Sequence, residues 1–299
     1  MELTVSILRL VPAIAAAALG LVFVIASAAK GADPALFAEQ VGSYGIVGGA
    51  AAKTVALVLV PLEMALGAAL LVCWRRRLSA AVAGSLLVLF IGVTAFGMAT
   101  GKTEGCGCFG ALSSRGPADV IKEDVLMLLL AGAAALPGAG LGLGGLWRGA
   151  AVVAAGLAGA GYQAAAPSLP LDDWATALRP GVAVASLDLG DAVADPAPTL
   201  VVLLDLAGPD IGDTTASLNG LLARPGAPRI VALAAADETH RGEYFWAHGP
   251  QFDVREIDHA TLRRLSRRQP RAFLARGGSV VRTWNDRLPS PDELTQAVS

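Results

Sequence analysis

Charged residues are scarce in this chain of 299 residues, and they are unevenly distributed along it. Asp, Glu, Lys and Arg make up 16% of the sequence, apolar residues make up 54%, and the formal net charge is −2. This composition excludes a disordered chain, a collagen-like chain and a protein that coats nucleic acid. Residues 1–171 hold 18 of the charged residues, and residues 172–299 hold the other 30. The sequence therefore predicts a membrane part followed by a water-soluble part.

Cysteine and histidine are rare as well, with three residues of each type. All three cysteines precede residue 109, so residues 171–299 cannot form or exchange disulfides, whatever fold they adopt. The histidines all follow residue 239 and lack the spacing of metal ligands, so no metal site is predicted.

Long uncharged runs dominate the first part, and each is close to the roughly 20 residues that cross a bilayer. Five transmembrane helices are predicted, at about 10–29, 46–73, 78–100, 125–142 and 149–168. Glu63 lies near the middle of the second run. A carboxylate is costly at that depth, so Glu63 should be neutral, hydrogen-bonded or paired, for a structural or a functional reason. Lys30, at the end of the first run, can instead extend to the membrane surface.

The orientation follows from Arg75, Arg76 and Arg77, which lie between the second and third runs. The positive-inside rule places them in the cytoplasm, and therefore predicts a cytoplasmic N-terminus and an extracytoplasmic C-terminal part in a bacterial plasma membrane. Residues 26–28 also resemble a signal-peptide cleavage site, although the preceding apolar run is longer than a usual signal core. The predicted domains are a helical bundle, a fifth helix with a linker, and a soluble domain, at 1–147, 148–170 and 171–299.

Two of the cysteines can meet in the segment Gly105-Cys-Gly-Cys-Phe-Gly110. Cys73 is predicted about 30 Å away, at the other membrane face, whereas a disulfide needs Cα atoms within about 7 Å. A disulfide between Cys106 and Cys108 would close a very small ring, and strained, exposed disulfides tend to be reducible and catalytic or regulatory. Gly107 gives the backbone the freedom such a ring needs. A static disulfide, a pair of free thiols and half of a zinc site are the alternatives.

Residues 1–135 resemble the methylamine utilisation protein MauE family, a branch of the DoxX-like membrane proteins. Three segments carry the resemblance: residues 26–44 with Lys30, residues 61–67 with Glu63, and residues 101–110 with Cys106, Gly107, Cys108, Phe109 and Gly110. The resemblance implies a bundle of four transmembrane helices and a role in making disulfides in exported proteins. In the namesake system, that role is maturation of the small subunit of methylamine dehydrogenase, alongside a separate thioredoxin-like partner.

The C-terminal part alternates strand and helix patterns. Strands are predicted at 199–206, 230–235, 254–257, 271–275 and 279–284, and helices at 211–223, 238–248, 262–268 and 291–298. This order resembles an α/β thioredoxin fold, with Pro270 at the place of its cis-proline. Residues Ala207, Gly208, Pro209 and Asp210 stand where thioredoxins have Cys-x-x-Cys, so such a domain can bind or position a partner but cannot exchange disulfides.

Five arginines cluster near the end of the 262–268 helix: Arg263, Arg264, Arg267, Arg268 and Arg271. A solvated arginine face is the simplest interpretation, and contact with anionic lipid or an acidic client is the alternative. Nucleic acid is not an expected partner outside the cytoplasm.

These patterns predict a membrane protein that acts on disulfides. Cys106 and Cys108 would pass electrons from an exported thiol client to the membrane, which would make the protein a thiol–disulfide oxidoreductase. No cofactor site is readable, although a membrane quinone is an expected acceptor by analogy. The alternative is a non-catalytic assembly factor with a structural Cys-Gly-Cys turn and a client-binding outer domain. Transport of a small solute around Glu63 and Lys30 is a third interpretation.

Overall fold

The computed structural model describes residues 2–101, 116–137, 145–189, 193 and 197–298, with side chains from residue 10 to residue 297 within those ranges. The chain divides into two compact units, Met1–Leu169 and Pro170–Ser299.

The described part of the first unit is helical. Its helices are α1 (Glu2–Ala32), α2 (Pro34–Ser43), α3 (Gly49–Leu71), α4 (Arg76–Ala99), α5 (Pro117–Ala135) and α6 (Gly145–Ala165). Four segments are long and apolar enough to cross a membrane: Leu10–Ala32, Gly49–Leu71, Arg76–Ala99 and Gly145–Ser168. These correspond to the first, second, third and fifth predicted runs.

The predicted crossing at 125–142 is not confirmed. Helix α5 ends at Ala135, before Pro137, and it begins eight residues earlier than the apolar run does. Helix α5 is not one of the four candidate spans. Four charged residues lie in its first half: Asp119, Lys122, Glu123 and Asp124. Its apolar half still packs in the bundle, where Ala131 and Ala134 join a buried cluster with residues of α1, α3 and α4.

Helices α1 and α3 cross closely at Gly20 and Gly67. A methyl group on Gly67 would lie 2.8 Å from the carbonyl oxygen of Gly20 and 3.0 Å from the backbone nitrogen of Val24. Both atoms belong to a helix backbone and cannot move aside locally. Small residues at this crossing let two membrane helices approach each other, as is common where lipid replaces water.

We predict that Gly67→Ala lowers the stability of the first unit by about 1–3 kcal/mol, because the added methyl group forces α1 and α3 apart. The matched control is Gly92→Ala in α4, where a methyl group would meet no atom within 4 Å. That change should be neutral or stabilising, since alanine favours helix by up to about 1 kcal/mol over glycine. Thermal unfolding of the full chain in lipid nanodiscs measures both, and equal transition temperatures for the two variants would contradict the prediction.

Helix α6 is fastened to the bundle by polar side chains that reach backbone oxygens. The Tyr162 hydroxyl donates to the carbonyl of Ala28 in α1 at 3.1 Å, and the Gln163 amide donates to the carbonyl of Ala56 in α3 at 3.1 Å. Such hydrogen bonds satisfy the Tyr162 and Gln163 side chains where no water is present to do so.

The second unit is a mixed α/β domain, as the strand and helix patterns predict. Its elements are α7 (Asp172–Ala175), β1 (Thr199–Leu203), α8 (Ile211–Leu222), β2 (Arg229–Ala234), α9 (Glu238–His248), β3 (Asp253–Glu256), α10 (His259–Leu265), β4 (Arg271–Arg276), β5 (Ser279–Trp284) and α11 (Pro291–Val298). The strand order is β3-β2-β1-β4-β5, with β1, β2 and β3 parallel and with β4 antiparallel to β1 and β5. The central strands are buried on both faces, and each face packs against its own apolar cluster.

Arg271 is completely buried at the start of β4, so the interpretation of the arginine cluster as a solvated face is wrong for this residue. Its guanidinium donates to the carboxylate of Asp173 at 2.8 Å, to the side-chain oxygens of Asn285 and Thr176, and to the carbonyls of Leu265 and Leu178. These bonds attach the segment around α7 to β4 and to the end of α10.

Arg267 is also buried, with Asp172 at 3.9 Å, whereas the half-exposed Arg268 lies 2.6 Å from Asp286. The cluster is therefore largely an internal ion-pair network.

Candidate functional site

A buried ion pair joins α1 to α3. The Lys30 ammonium lies 2.6 Å and 2.8 Å from the two carboxylate oxygens of Glu63, and the side chains are 3% and 1% exposed. Lys53 lies ten residues before Glu63, about 15 Å along a helix, which is too far for direct contact, and the fold supplies Lys30 instead. A charge pair held in an apolar bundle is rare enough in membrane proteins to mark a candidate functional site.

Aromatic rings and a second carboxyl surround this pair. The Lys30 ammonium lies 5.0 Å from the centre of the Phe90 ring and 5.6 Å from that of Phe37, both within cation–π range. Asp124 of α5 lines the same small gap as Lys30 and Glu63. Its side chain is buried, and its Oδ2 atom has no hydrogen-bond partner within the described part of the chain. Four elements of the bundle thus converge on one lysine.

The ion pair also borders a larger apolar cavity of about 260 Å³ between α2, α3 and α4. Lys30 and Phe90 form part of its wall, together with the side chains of Tyr44 and Thr94. Residues of one end of the bundle therefore meet here, because Lys30 lies in the last turn of α1 and Thr94 lies five residues before the end of α4.

The comparison with known families bears on this unit. Residues 8–137 match the family model described as methylamine utilisation protein MauE. The matched range contains Lys30, Glu63, Thr94 and Asp124, and it ends just after α5. Together with the four apolar helices, this match indicates a membrane protein. No curated protein and no solved structure matches the chain.

The predicted cysteine site lies outside the described residues, as do Cys106, Gly107, Cys108, Phe109 and Gly110. These residues belong to the segment that connects α4 to α5 within the MauE-matching range. Cys73 is described, and it follows α3 in a tight turn with a backbone φ of 51°. Its thiol is free and half-buried.

In the second unit, the residues assigned to a degenerate thioredoxin site come together. Ala207, Gly208, Pro209 and Asp210 follow β1, and they line one cavity of about 880 Å³ with Pro270. The peptide bond between Gln269 and Pro270 is cis.

The same cavity contains residues that sequence reasoning treated as scattered. His240, His248 and His259 all line it, together with the buried Tyr244. A hydrogen bond with the Asp237 carboxylate raises the pKa of His240, and burial raises the pKa of the Tyr244 hydroxyl. Within the described ranges, no group of three or more His, Cys, Asp and Glu side chains could hold a metal ion.

Sequence reasoning missed three groups around Lys30. Asp124 lies one residue before the predicted run at 125–142, and Phe90 and Thr94 lie inside the run at 78–100, where no pattern singles them out. Only Asp124 carried a usable signal, because it lies beside an apolar run that could have been extended towards it. The groups around Lys30 come from four different helices, and no spacing within one helix reveals them.

Proposed function

We propose that the chain is an integral membrane thiol–disulfide relay for exported proteins, with Cys106 and Cys108 as its redox pair. In the oxidised form, their disulfide accepts two electrons from two thiols of a client, which leaves the client with a disulfide and the pair as a dithiol. Two electrons and two protons then pass from the dithiol to a membrane quinone, which becomes a quinol and restores the Cys106–Cys108 disulfide. A client thiolate attacks one sulfur of the Cys106–Cys108 disulfide, and the cysteine with the lower thiol pKa leaves more readily as the thiolate.

The observation that carries this proposal is the buried Lys30–Glu63 pair at one end of the bundle. The cost of keeping charges in an apolar bundle favours a function for them. The segment with both cysteines connects α4 to α5. In the sequence it lies close to residues of this site on both sides, because Phe90 and Thr94 lie late in α4 and Asp124 lies early in α5. A site of fixed charges near a thiol pair suits proton and electron transfer. The MauE match over residues 8–137 supports the same reading.

The second unit would recognise the client outside the cytoplasm of a bacterial cell, where oxidising conditions prevail. Its mixed sheet with a parallel βαβ unit and a final hairpin supports a thioredoxin-like fold. Because residues 171–299 lack cysteine, this unit would bind the client but cannot exchange disulfides, so the thiol chemistry belongs to the first unit. The cavity beside Ala207–Asp210 and Pro270 is the proposed binding site.

Trapping of thiols in intact cells tests the relay. Cys106 and Cys108 should take up a maleimide mass tag after reduction, and should resist it in oxidising cells that lack reduced clients. Cys108→Ser should accumulate a mixed disulfide with an oxidised client if Cys106 is the cysteine that bonds to the client, because the second thiol that would resolve it is absent. Cys106→Ser should do so if Cys108 is that cysteine. Either single variant should abolish client oxidation.

Cys73→Ser is the matched control, because it removes the third thiol of the chain and should leave client oxidation intact. A pair that keeps one redox state under both oxidative and reductive challenge would contradict the relay. So would the absence of any mixed disulfide from both single variants.

A second function, a non-catalytic assembly factor, is favoured by the large cavity in a domain without cysteine. In that case the Cys-Gly-Cys segment is structural, and the client depends on binding alone. Replacing both cysteines by serine would then leave client maturation unchanged, whereas the relay predicts its complete loss.

A further inference from the structure

The apolar cavity beside Lys30 opens towards the lipid-facing surface of the bundle. Its walls are almost entirely apolar. Three lining residues are also exposed on the outside of the bundle: Ile46, which precedes α3, Val55 of α3 and Leu89 of α4. A molecule dissolved in the bilayer could therefore enter from the side. The volume of about 260 Å³ admits a ring or part of a chain, and it excludes a folded peptide.

One hydroxyl in the wall lacks a partner among the residues that the structure describes. The Thr94 side chain is 1% exposed, and its hydroxyl oxygen makes no hydrogen bond to any of them. A threonine inside a helix commonly donates to the carbonyl four residues earlier. Thr54 and Thr100 of this chain do so, with bonds of 3.0 Å to the carbonyls of Ala50 and Phe96. Thr94 departs from that pattern, and a buried hydroxyl without a partner is costly unless a ligand satisfies it.

The ammonium of Lys30 is the second donor in the wall. An ammonium group carries three N–H donors, and among the described residues the Glu63 carboxylate oxygens account for two of them. The rings of Phe37 and Phe90 flank the same ammonium and also line the cavity. Besides Gln40 and Tyr44, the polar groups of the wall are thus these two donors, which lie beside two aromatic rings.

We propose that this cavity binds the ring of an isoprenoid quinone, with Thr94 and Lys30 as hydrogen-bond donors to a ring carbonyl. This inference rests on the proposed relay, which needs a lipid-soluble acceptor that takes up two electrons and two protons and leaves the site as a quinol. A phospholipid acyl chain would fill the apolar walls, but it offers no acceptor for the Thr94 hydroxyl. A quinone ring has a carbonyl for the donors and a flat face for Phe37 and Phe90.

The position of the cavity agrees with that role. Thr94 lies five residues before the end of α4 at Ala99, which is about 8 Å along a helix. The segment with both cysteines begins shortly after that end. A ring held near Thr94 would therefore be bound at the end of α4 that leads into the segment with both cysteines.

Photolabelling with an azido-quinone tests the site in the full chain, reconstituted in nanodiscs of defined phospholipid. Both cysteines are replaced by serine, so that binding is measured without the relay. Label should map to peptides of α2, the start of α3 and the second half of α4, and a short-tailed quinone should compete for it. Thr94→Val keeps the side-chain shape and should weaken competition about fivefold to tenfold, the usual worth of one hydrogen bond.

Thr54→Val is the matched control, since it removes a helical hydroxyl that lies outside the cavity, and it should leave competition unchanged. Val93→Phe fills the cavity and should abolish specific labelling. Equal competition for Thr94→Val and the parent, label mapped elsewhere, or a bound phospholipid that quinone does not displace would each overturn the proposal. A site confirmed this way stands even if the thiol trapping fails, because binding is measured without the cysteines.

Discussion

Glu63→Leu is expected to destabilise the first unit by about 3–5 kcal/mol, because it leaves the Lys30 ammonium buried without its counter-charge. The pair is short, at 2.6 Å and 2.8 Å, and neither side chain reaches the surface of the bundle. Lys30→Met should cost a similar amount for the converse reason. The double variant should recover most of the loss, because two apolar side chains of suitable volume often match or exceed a buried ion pair.

A double-mutant cycle on the full chain in nanodiscs measures the coupling between the two residues. The control is Lys53→Met, which removes an exposed lysine from the same helix and should change stability by less than about 0.5 kcal/mol. Single variants with the stability of the parent would contradict the prediction. If the double variant is stable yet fails in client oxidation, the pair has a function beyond holding α1 to α3. If changing Glu63 still impairs the cell when Cys106 and Cys108 are both absent, transport of a solute is favoured instead.

Arg271→Met is expected to destabilise the second unit by about 3–5 kcal/mol. The arginine is 0% exposed, and its loss leaves the buried carbonyls of Leu178 and Leu265 without this donor and removes one of several donors to the half-exposed Asp173 carboxylate. Arg271→Lys should be intermediate, because a single ammonium keeps the charge but cannot supply the five fixed donors of a guanidinium. The increase in hydrogen exchange should be greatest at residues 172–178, which these bonds attach to the sheet.

Hydrogen exchange of the full chain, followed by mass spectrometry, measures this effect peptide by peptide. Arg229→Met is the matched control: Arg229 starts β2 and pairs with Asp253 at 3.2 Å, but both side chains are about 40% exposed. An exposed pair of this kind contributes about 0–1 kcal/mol. Unchanged exchange at residues 172–178 in Arg271→Met would show that the buried guanidinium does not hold that segment.

The strands and helices of the second unit were predictable because their signals are local. Asp258 begins α10 as a cap, with its carboxylate accepting from the Thr261 backbone nitrogen, and glycines at 277 and 278 turn β4 into β5. Both features lie within a few residues of the element that they define. The mixed α/β architecture is confirmed for this reason.

The helices of the bundle were less predictable where charge and apolarity compete. Helix α5 begins at Pro117, because proline suits the first turn of a helix, and its charged first half conceals the helix from a search for apolar runs. The prediction of a solvated arginine face was wrong for the opposite reason. Sequence periodicity places charges on a helix face, yet Arg267 and Arg271 follow the end of α10 and turn inward to Asp172 and Asp173.

By itself, the sequence determined that the chain has an apolar membrane part and a charged α/β part, and that every cysteine belongs to the first. Composition and short-range pattern are sufficient for those conclusions, because they depend on the solvent that each segment meets. The tertiary structure decided that Lys30 is the partner of Glu63, that Thr94 faces a cavity without a hydrogen-bond partner, and that Arg271 is buried. Those facts depend on residues far apart in the chain, and only the packing of helices and strands brings them within a few ångströms of each other.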